Sequence, residues 1–501
     1  MKKIQLLLLL FFLSSIFSNT QAQEKRGNIW VIGYDVDLTP EGAGTKLDFN
    51  HIPLEVSFVE KPMWFASSSV SMCDKEGNLL FYSNGCYVAD STHQLMPGSE
   101  SLSPGIVEDD YCPYGGLQVQ GLIALPHFDN LYYLVGYQSE ILFEFSSIKG
   151  TSITYSIIDM NANNGLGEMV EKNNIILEDT FPRGYLQAIQ HANGRDWWII
   201  APKAVSNCYH KLLLDSTGLH YVEKQCIGNV WNEQDWTGQA TFSPNGSKYI
   251  RFNAYNGLNI FDFDRCNGEL SNHIQVQIPG EYSSGGVGVS PNSRYLYASA
   301  NDSLFQLDLQ APDIQESLIF IEAYDGQPFP YYGRFYLQQL APDGKIYIGG
   351  TGSHKHLHII HQPDSAGLAC NFEQHGLPLP SFNYVSMPNL PHFNMGPTEE
   401  LCDWVLNDTR EAETTPSPFT VSVFPNPAAT HFTVSFSGPF PEDGLLLLYN
   451  ALGGEYGRLA ISSGEREASL DISGWPAGVY YYEACTATQR VGAGKLLILD
   501  Q

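Results

Sequence analysis

Phe242-Ser243-Pro244-Asn245-Gly246-Ser247-Lys248-Tyr249-Ile250-Arg251-Phe252 places a tight turn directly ahead of a short, strongly β-forming run. Proline sets φ at the first central turn position and Asn-Gly closes the reversal, so antiparallel strands should flank the turn on both sides. The same turn recurs as Val289-Ser-Pro291-Asn292-Ser293 and Leu340-Ala-Pro342-Asp343-Gly344. In a looser form, a glycine or polar turn followed by a β-forming run, the pattern occurs seven times: GNIWVIG (Gly27–Gly33), GNLLFYS (Gly77–Ser83), DNLYYLV (Asp129–Val135), GRDWWII (Gly194–Ile200), GSKYIRF (Gly246–Phe252), NSRYLYA (Asn292–Ala298) and GKIYIGG (Gly344–Gly350). Strands repeating at roughly fifty residues, with no helical pattern between copies, indicate a β-propeller in which each copy belongs to one four-stranded blade. Seven copies predict seven blades, with six or eight as the alternatives, and each proline turn then links the innermost strand of a blade to its second.

Composition agrees with an all-β chain. Charged residues are 16% and aromatics 13%, with 46 glycines and 29 prolines, which suits short strands joined by tight turns and leaves little helix. The third and fourth copies are spaced widest, and the extra length around Asn161–Asn174 reads as an inserted loop. The first copy and the trailing segment Phe382–Phe393 together suggest that strands from both chain ends close the ring, which removes open sheet edges.

Lys2 and Lys3 precede an apolar run, Ile4–Phe17, and Thr20-Gln21-Ala22 offers a small residue for cleavage, so residues 1–22 read as a signal peptide. The run is shorter than a membrane-spanning helix needs, and no transmembrane segment is expected once it is removed. The domain plan is signal peptide 1–22, propeller 23–397, linker 398–418 and a second domain 419–501. The linker contains Asn407–Pro418, rich in Thr, Glu and Pro. The last region offers about seven alternating strands between Gly/Pro turns, the pattern of a small Ig-like β-sandwich.

The formal net charge is −28, from 26 basic and 54 acidic side chains, and the leader holds two of the lysines. Such a field repels phosphate backbones, so nucleic acid is not an expected partner. Asp262-Phe-Asp264-Arg-Cys266-Asn267-Gly268 begins like a calcium loop, but its glycine arrives one residue late and Cys266 stands where a ligand belongs; it reads as a β-turn. Among nine cysteines, Cys208 and Cys226 are nearly equidistant from a turn at Asp215–Gly218 and are the candidate disulfide.

Candidate site residues come from the segments just upstream of each innermost strand, where propeller loops converge on the channel mouth. These segments are aromatic: Trp64 and Phe65, Tyr111 and Tyr114, Phe181 with Arg183, Trp231 and Trp236 with Asp235, Tyr282, and Tyr331-Tyr332 with Arg334. Rings with a few charged groups suit a glycan or peptide ligand, although any single ring could instead pack between blades. His354, His356 and His358 alternate along one strand and could present nitrogens to a transition metal, the one cofactor considered; the simpler reading is an exposed polar strand face. Standard catalytic motifs are absent from the sequence, and consecutive acids such as Glu108, Asp109 and Asp110 are more often solvated than catalytic. The chain therefore reads as a binding module, with a propeller glycoside hydrolase or lyase using scattered acids, or a surface-layer or adhesion component, as alternatives.

Three resemblances add to this reading. The proline turns resemble the S-P-D-G turns of WD40-like and TolB-like propeller repeats. Val423-Phe-Pro425-Asn426-Pro427-Ala428, Leu447-Leu-Tyr-Asn-Ala-Leu-Gly453, Leu470-Asp-Ile472, Trp475-Pro-Ala-Gly478-Val-Tyr480 and Lys495-Leu-Leu-Ile498 resemble, in order and spacing, the type A C-terminal sorting domain of the type IX secretion system. That resemblance implies a Bacteroidota protein that partners the secretion machinery, crosses the periplasm, and ends secreted or attached to the outer-membrane surface after the domain is removed. Residues 27–396 are in turn similar to a group of secreted Bacteroidota propellers through Asn28–Gly33, Leu47–Phe49, Gly77–Tyr82, Gln94–Pro97 and Phe263–Gly268, a likeness that carries no chemistry with it.

Overall fold

The computed structural model describes residues 24–34, 44–112, 114–142, 147–232, 234, 238–253, 255–280, 284–328, 330–398, 402, 420–450, 455–486 and 490–499. The predicted leader and the Asn407–Pro418 segment lie outside them. The chain divides into two compact units, residues 1–400 and 401–501.

The first unit is a seven-bladed propeller of antiparallel meanders. Its blades are β1–β3 (Ile29–Gly33, Gly44–Asp48, Glu55–Val59), β4–β6 (Val70–Cys73, Leu79–Ser83, Val88–Asp90), β7–β10 (Leu122–Pro126, Leu131–Leu142, Ser147–Asp159, Glu168–Phe181), β11–β14 (Gln187–Gln190, Trp197–Pro202, Cys208–Asp215, Gly218–Cys226), β15–β18 (Gly238–Phe242, Lys248–Asn253, Gly257–Asp264, Glu269–Val276), β19–β22 (Gly286–Val289, Tyr295–Ala300, Ser303–Asp308, Ile319–Ala323) and β23–β26 (Phe335–Leu340, Ile346–Gly350, His354–Ile360, Phe372–Asn383). In six blades the repeated run is the second strand, and the three proline turns join β15 to β16, β19 to β20 and β23 to β24. The first copy differs: Ile29–Gly33 is the first strand of its sheet. Blades one and two have three strands each, and what would be the fourth in blade two is reduced to a bridge between Ala89 and Leu95.

Two further expectations are corrected. Of Asn161–Asn174 only the first half, 161–167, is a loop; Glu168–Asn174 belong to β10, and the extra length also goes into β9 and β10, which run 13 and 14 residues with several bulges. Nor is any blade a composite of the two chain ends. Each blade is contiguous, and blade seven meets blade one through the Tyr34 N–H to the Phe382 carbonyl (3.2 Å), a Thr45–Ser381 hydroxyl pair (2.7 Å), and Trp30, Phe49, Tyr347 and Leu357 packed between the sheets.

After β26 the chain turns into the axis of the ring. Innermost strands crowd there: a Cβ on Gly286 would stand 1.9 Å from the Tyr336 carbonyl oxygen. Residues 384–398 touch first strands and their turns in succession. The Asn389 N–H donates to Ser69 O, and its amide nitrogen donates to Leu122 O (2.9 Å) and Leu186 O (3.0 Å). Its amide oxygen accepts from Gln187 (2.6 Å) and Gln120 (3.3 Å). Further along, His392 bonds to Phe242 O, Gln190 accepts the N–H groups of Met395 and Gly396, and Arg265 donates to Gly396 O. The segment leaves beside Asn193, which bridges Pro397. The space left between this segment and β11, β15, β19 and β23 is about 10 Å³, no more than one water.

The second unit is a two-sheet sandwich. One sheet holds Val421–Phe424, His431–Phe436 and Glu467–Asp471, and the other Gly444–Asn450, Glu455–Ile461, Gly478–Thr486 and Arg490–Ile498. Period-two alternation fills the space between them with Phe432, Val434, Leu446, Leu448, Tyr480, Tyr482, Leu496 and Ile498.

Two outcomes are expected from unfolding measurements. Replacing Asn389 by Ala strands buried carbonyls and amides, so the urea midpoint should fall by the equivalent of about 3 kcal/mol with an unchanged slope. His191 and His210 are buried, and burial holds both below the ordinary value of 6.5. The unfolded state then binds more protons below that pH, so the melting temperature should drop as pH falls through about 6.5 and change little between 7 and 8. In the His191→Gln/His210→Gln double variant this slope should be shallower.

Candidate functional site

Part of the predicted aromatic face assembles, and it includes rings that the sequence pattern did not single out. Trp64 stands edge-on to Tyr114 (5.1 Å between centroids) and to Tyr34 (4.7 Å). Tyr34 stacks on Phe382 (6.1 Å), which lies 6.1 Å from Tyr331. These five rings form one strip across blades seven, one and two. Tyr34 follows directly after the last residue of β1 and Phe382 lies near the end of β26, so neither stands upstream of an innermost strand, the position from which the candidates were drawn. The Tyr34 hydroxyl pairs with Ser353, and burial raises its pKa. At the two ends the rings reach solvent: Tyr114 is 45% exposed, Tyr331 60% and Tyr332 58%. Lys355 stands over Phe382 at 4.7 Å and gives the strip a cationic neighbour.

Three other predicted rings, Phe65, Phe181 and Trp231, are buried inside the propeller. Phe65 and Phe181 are fully buried, the latter stacked on Tyr137. Trp231 is 1% exposed and lies 3.5 Å from the Arg251 guanidinium, which contacts Tyr185 on another side at 4.2 Å. Arg334 pairs with Asp302 at 3.1 Å. Arg183 is largely buried near Tyr111 and Tyr336, with its guanidinium 3.5 Å from Leu117 O, and burial lowers its pKa. Asp235, Trp236 and Tyr282 lie outside the described residues. Of the three consecutive acids, Glu108 accepts from Ser101 while Asp109 and Asp110 are exposed on a five-residue helix, Ile106–Asp110, next to the Cys86–Cys112 disulfide. A cleft between blades two and three, lined by residues including Ser68, Gln118 and Tyr137, offers about 40 Å³, room for a few waters.

The histidine face is not the exposed strand face expected of it. His354, His356 and His358 are 0%, 1% and 0% exposed, because the adjoining strand β26 and the loop at Gly333 cover them. His354 is engaged locally: one ring nitrogen accepts the Gly350 N–H and the other donates to Gly352 O, and burial lowers its pKa to about 4. His375 on β26 takes its place in the cluster, its ring 4.0 Å from that of His356 and 5.0 Å from that of His358.

Cys208 and Cys226 are partners in the register of β13 and β14 and are joined by a disulfide, whereas Cys73 and Cys370 are buried free thiols. In the second unit, Pro425 and Pro427 flank Asn426, whose amide donates to Lys495 O (2.7 Å) and accepts from the Leu497 N–H (2.9 Å). Ala428 continues this as a parallel bridge to Ile498, so the motif fastens the last strand. The Tyr480 hydroxyl donates to Pro476 O, Gly478 opens the strand containing Tyr480, and Gly453 lies outside the described residues.

Residues 422–498 match the family described as the secretion system C-terminal sorting domain. No curated protein matches the chain. Among solved structures, one designated a 6-phosphogluconolactonase from Bacteroides uniformis is similar with a TM-score of 0.44 and 14% identity, over 72% of this chain and 97% of the other. A functionally unknown protein from Desulfotomaculum acetoxidans gives 0.39 and 12%, over 71% and 98%. The Dos1 propeller gives 0.34 and 12%, over 65% and 87%. No ligand or reaction transfers at such identities. Among the described residues no helix is long and apolar enough to cross a membrane. The chain is a β-propeller that ends in a type IX secretion sorting domain, the signal that directs it to the cell surface or the medium.

Proposed function

We propose that the propeller is an extracellular binding module that recognises a neutral glycan along the strip Tyr114–Trp64–Tyr34–Phe382–Tyr331. The observation that supports this most is the continuity of the rings across three blades with both ends open to solvent. Sugar rings present flat apolar faces, and rigid aromatic side chains meet them with little loss of conformational freedom. The large negative charge disfavours acidic polysaccharides and leaves neutral ones as the better match.

The test is a glycan array and polysaccharide pull-down with the secreted chain, alongside Trp64→Ala, Tyr114→Ala and Tyr331→Ala variants. Neutral glycans should be retained, and each ring removed should weaken binding about tenfold, the equivalent of about 1.4 kcal/mol. Retention that is indifferent to all three changes, or no retention of any glycan, would discard the reading in favour of a protein ligand.

A further inference from the structure

The outer strand of blade seven contains an irregularity that determines what the histidine cluster can do. Leu357 pairs with Leu377 and Ile359 with Glu373, so β26 uses two more residues than β25 over the same span. His375 sits within this bulge at φ 56°, next to Gly376, a backbone conformation that branched residues avoid. The bulge brings the His375 ring against the rings of His356 and His358, and one nitrogen from each of the three lies within 4.8 Å of the others. Both carboxylate oxygens of Asp325 stand 3.2 Å from Nε2 of His375. The His375 side chain is 20% exposed and that of Asp325 36%, so the cluster opens to solvent on this side and is closed on the strand side.

We propose that His356, His358 and His375 form a binding site for a divalent d-block cation, zinc foremost, with Asp325 orienting His375 from outside the coordination sphere. Three imidazole nitrogens and one open position match what zinc accepts in proteins, and a carboxylate on the far nitrogen of a ligating histidine is the usual support for such a set. His358 is already held as a neutral ring: its Nε2 donates to Gly333 O at 3.0 Å and its Nδ1 accepts the His375 N–H at 3.1 Å. Ligation requires it to give up one of these two bonds. Both partners lie in irregular backbone, the Gly333 loop and the His375 bulge, where the adjustment that draws the nitrogens together breaks no strand pairing. The loop on which the site rests also carries the end of the proposed glycan strip, since Gly333 directly follows Tyr331 and Tyr332. An ion at the cluster would therefore brace the blade-seven end of the aromatic strip.

The experiment uses the intact secreted chain, stripped with chelator and titrated with Zn²⁺ and Co²⁺, following bound metal by elemental analysis and Co²⁺ coordination by visible absorption. One ion per chain, an intense Co²⁺ spectrum and a Zn²⁺-dependent rise in melting temperature are expected. His375→Ala should weaken binding at least about 100-fold and Asp325→Asn about 10-fold to 100-fold. His375 is partly exposed, so its variant should fold, and circular dichroism together with an unchanged urea midpoint without metal would verify this. Failure to retain stoichiometric metal, or retention unaltered by His375→Ala, would overturn the site. Glycan retention measured on metal-free protein separates this result from the glycan-binding proposal, because the aromatic strip does not require the ion.

Discussion

Seven first strands that meet at one axis leave seven inner edges without a sheet neighbour, and the rest of this propeller depends on how those edges are satisfied. Here an irregular segment of the same chain, residues 384–398, meets the second to fifth blades, and Gln239 and Gln338 bridge the fifth, sixth and seventh. Asn389 alone answers a backbone carbonyl of the second blade through its N–H and two more, in the third and fourth blades, through its side-chain amide, while glutamines reach it from the third and fourth. An apolar side chain could fill the volume but could not meet these groups, and a buried unmet carbonyl costs more than a hydrogen bond returns. With the axis packed in this way, chemistry is left to the rims and to the flanks of the blades.

The blades were legible in the sequence because in six of them the second strand is announced by a turn residue and is largely buried, as the Trp197–Pro202 and Tyr295–Ala300 strands are throughout. The first copy misled because GNIWVIG has the same composition whether its strand stands first or second in a sheet. Ring closure misled for a different reason. Residues 384–398 mix apolar side chains with three prolines and scattered polar residues, without strand or helix period, and their partners are far away in sequence. The sorting-domain motif was legible because Asn426 and its neighbours are required locally to hold the last strand.

The two candidate sites show where a one-dimensional reading stops. The aromatic strip gains Tyr34 and Phe382 only when blades seven and one are brought side by side, and it loses Trp231 because Arg251 needs two rings to bury its charge. Likewise His354, His356 and His358 share a face by strand period, but His354 is held by the turn it begins, and His375 enters through a bulge that no periodicity encodes. In both cases the period identified the strand correctly and the neighbouring backbone decided which side chains cooperate. Both sites also draw on the segment between Tyr324 and Arg334, where the Tyr324 hydroxyl accepts the Gly333 N–H.

The clasp between Glu24 and Asn394, in which the main chain of one end and the side chain of the other exchange two hydrogen bonds across 370 positions, also bears on time. Contacts so remote in sequence incur the largest loop-closure entropy before they return any stabilisation, which makes such rings slow to seal. Until the axial segment has been synthesised and threaded, the seven inner strands exist as an open arc with exposed edges.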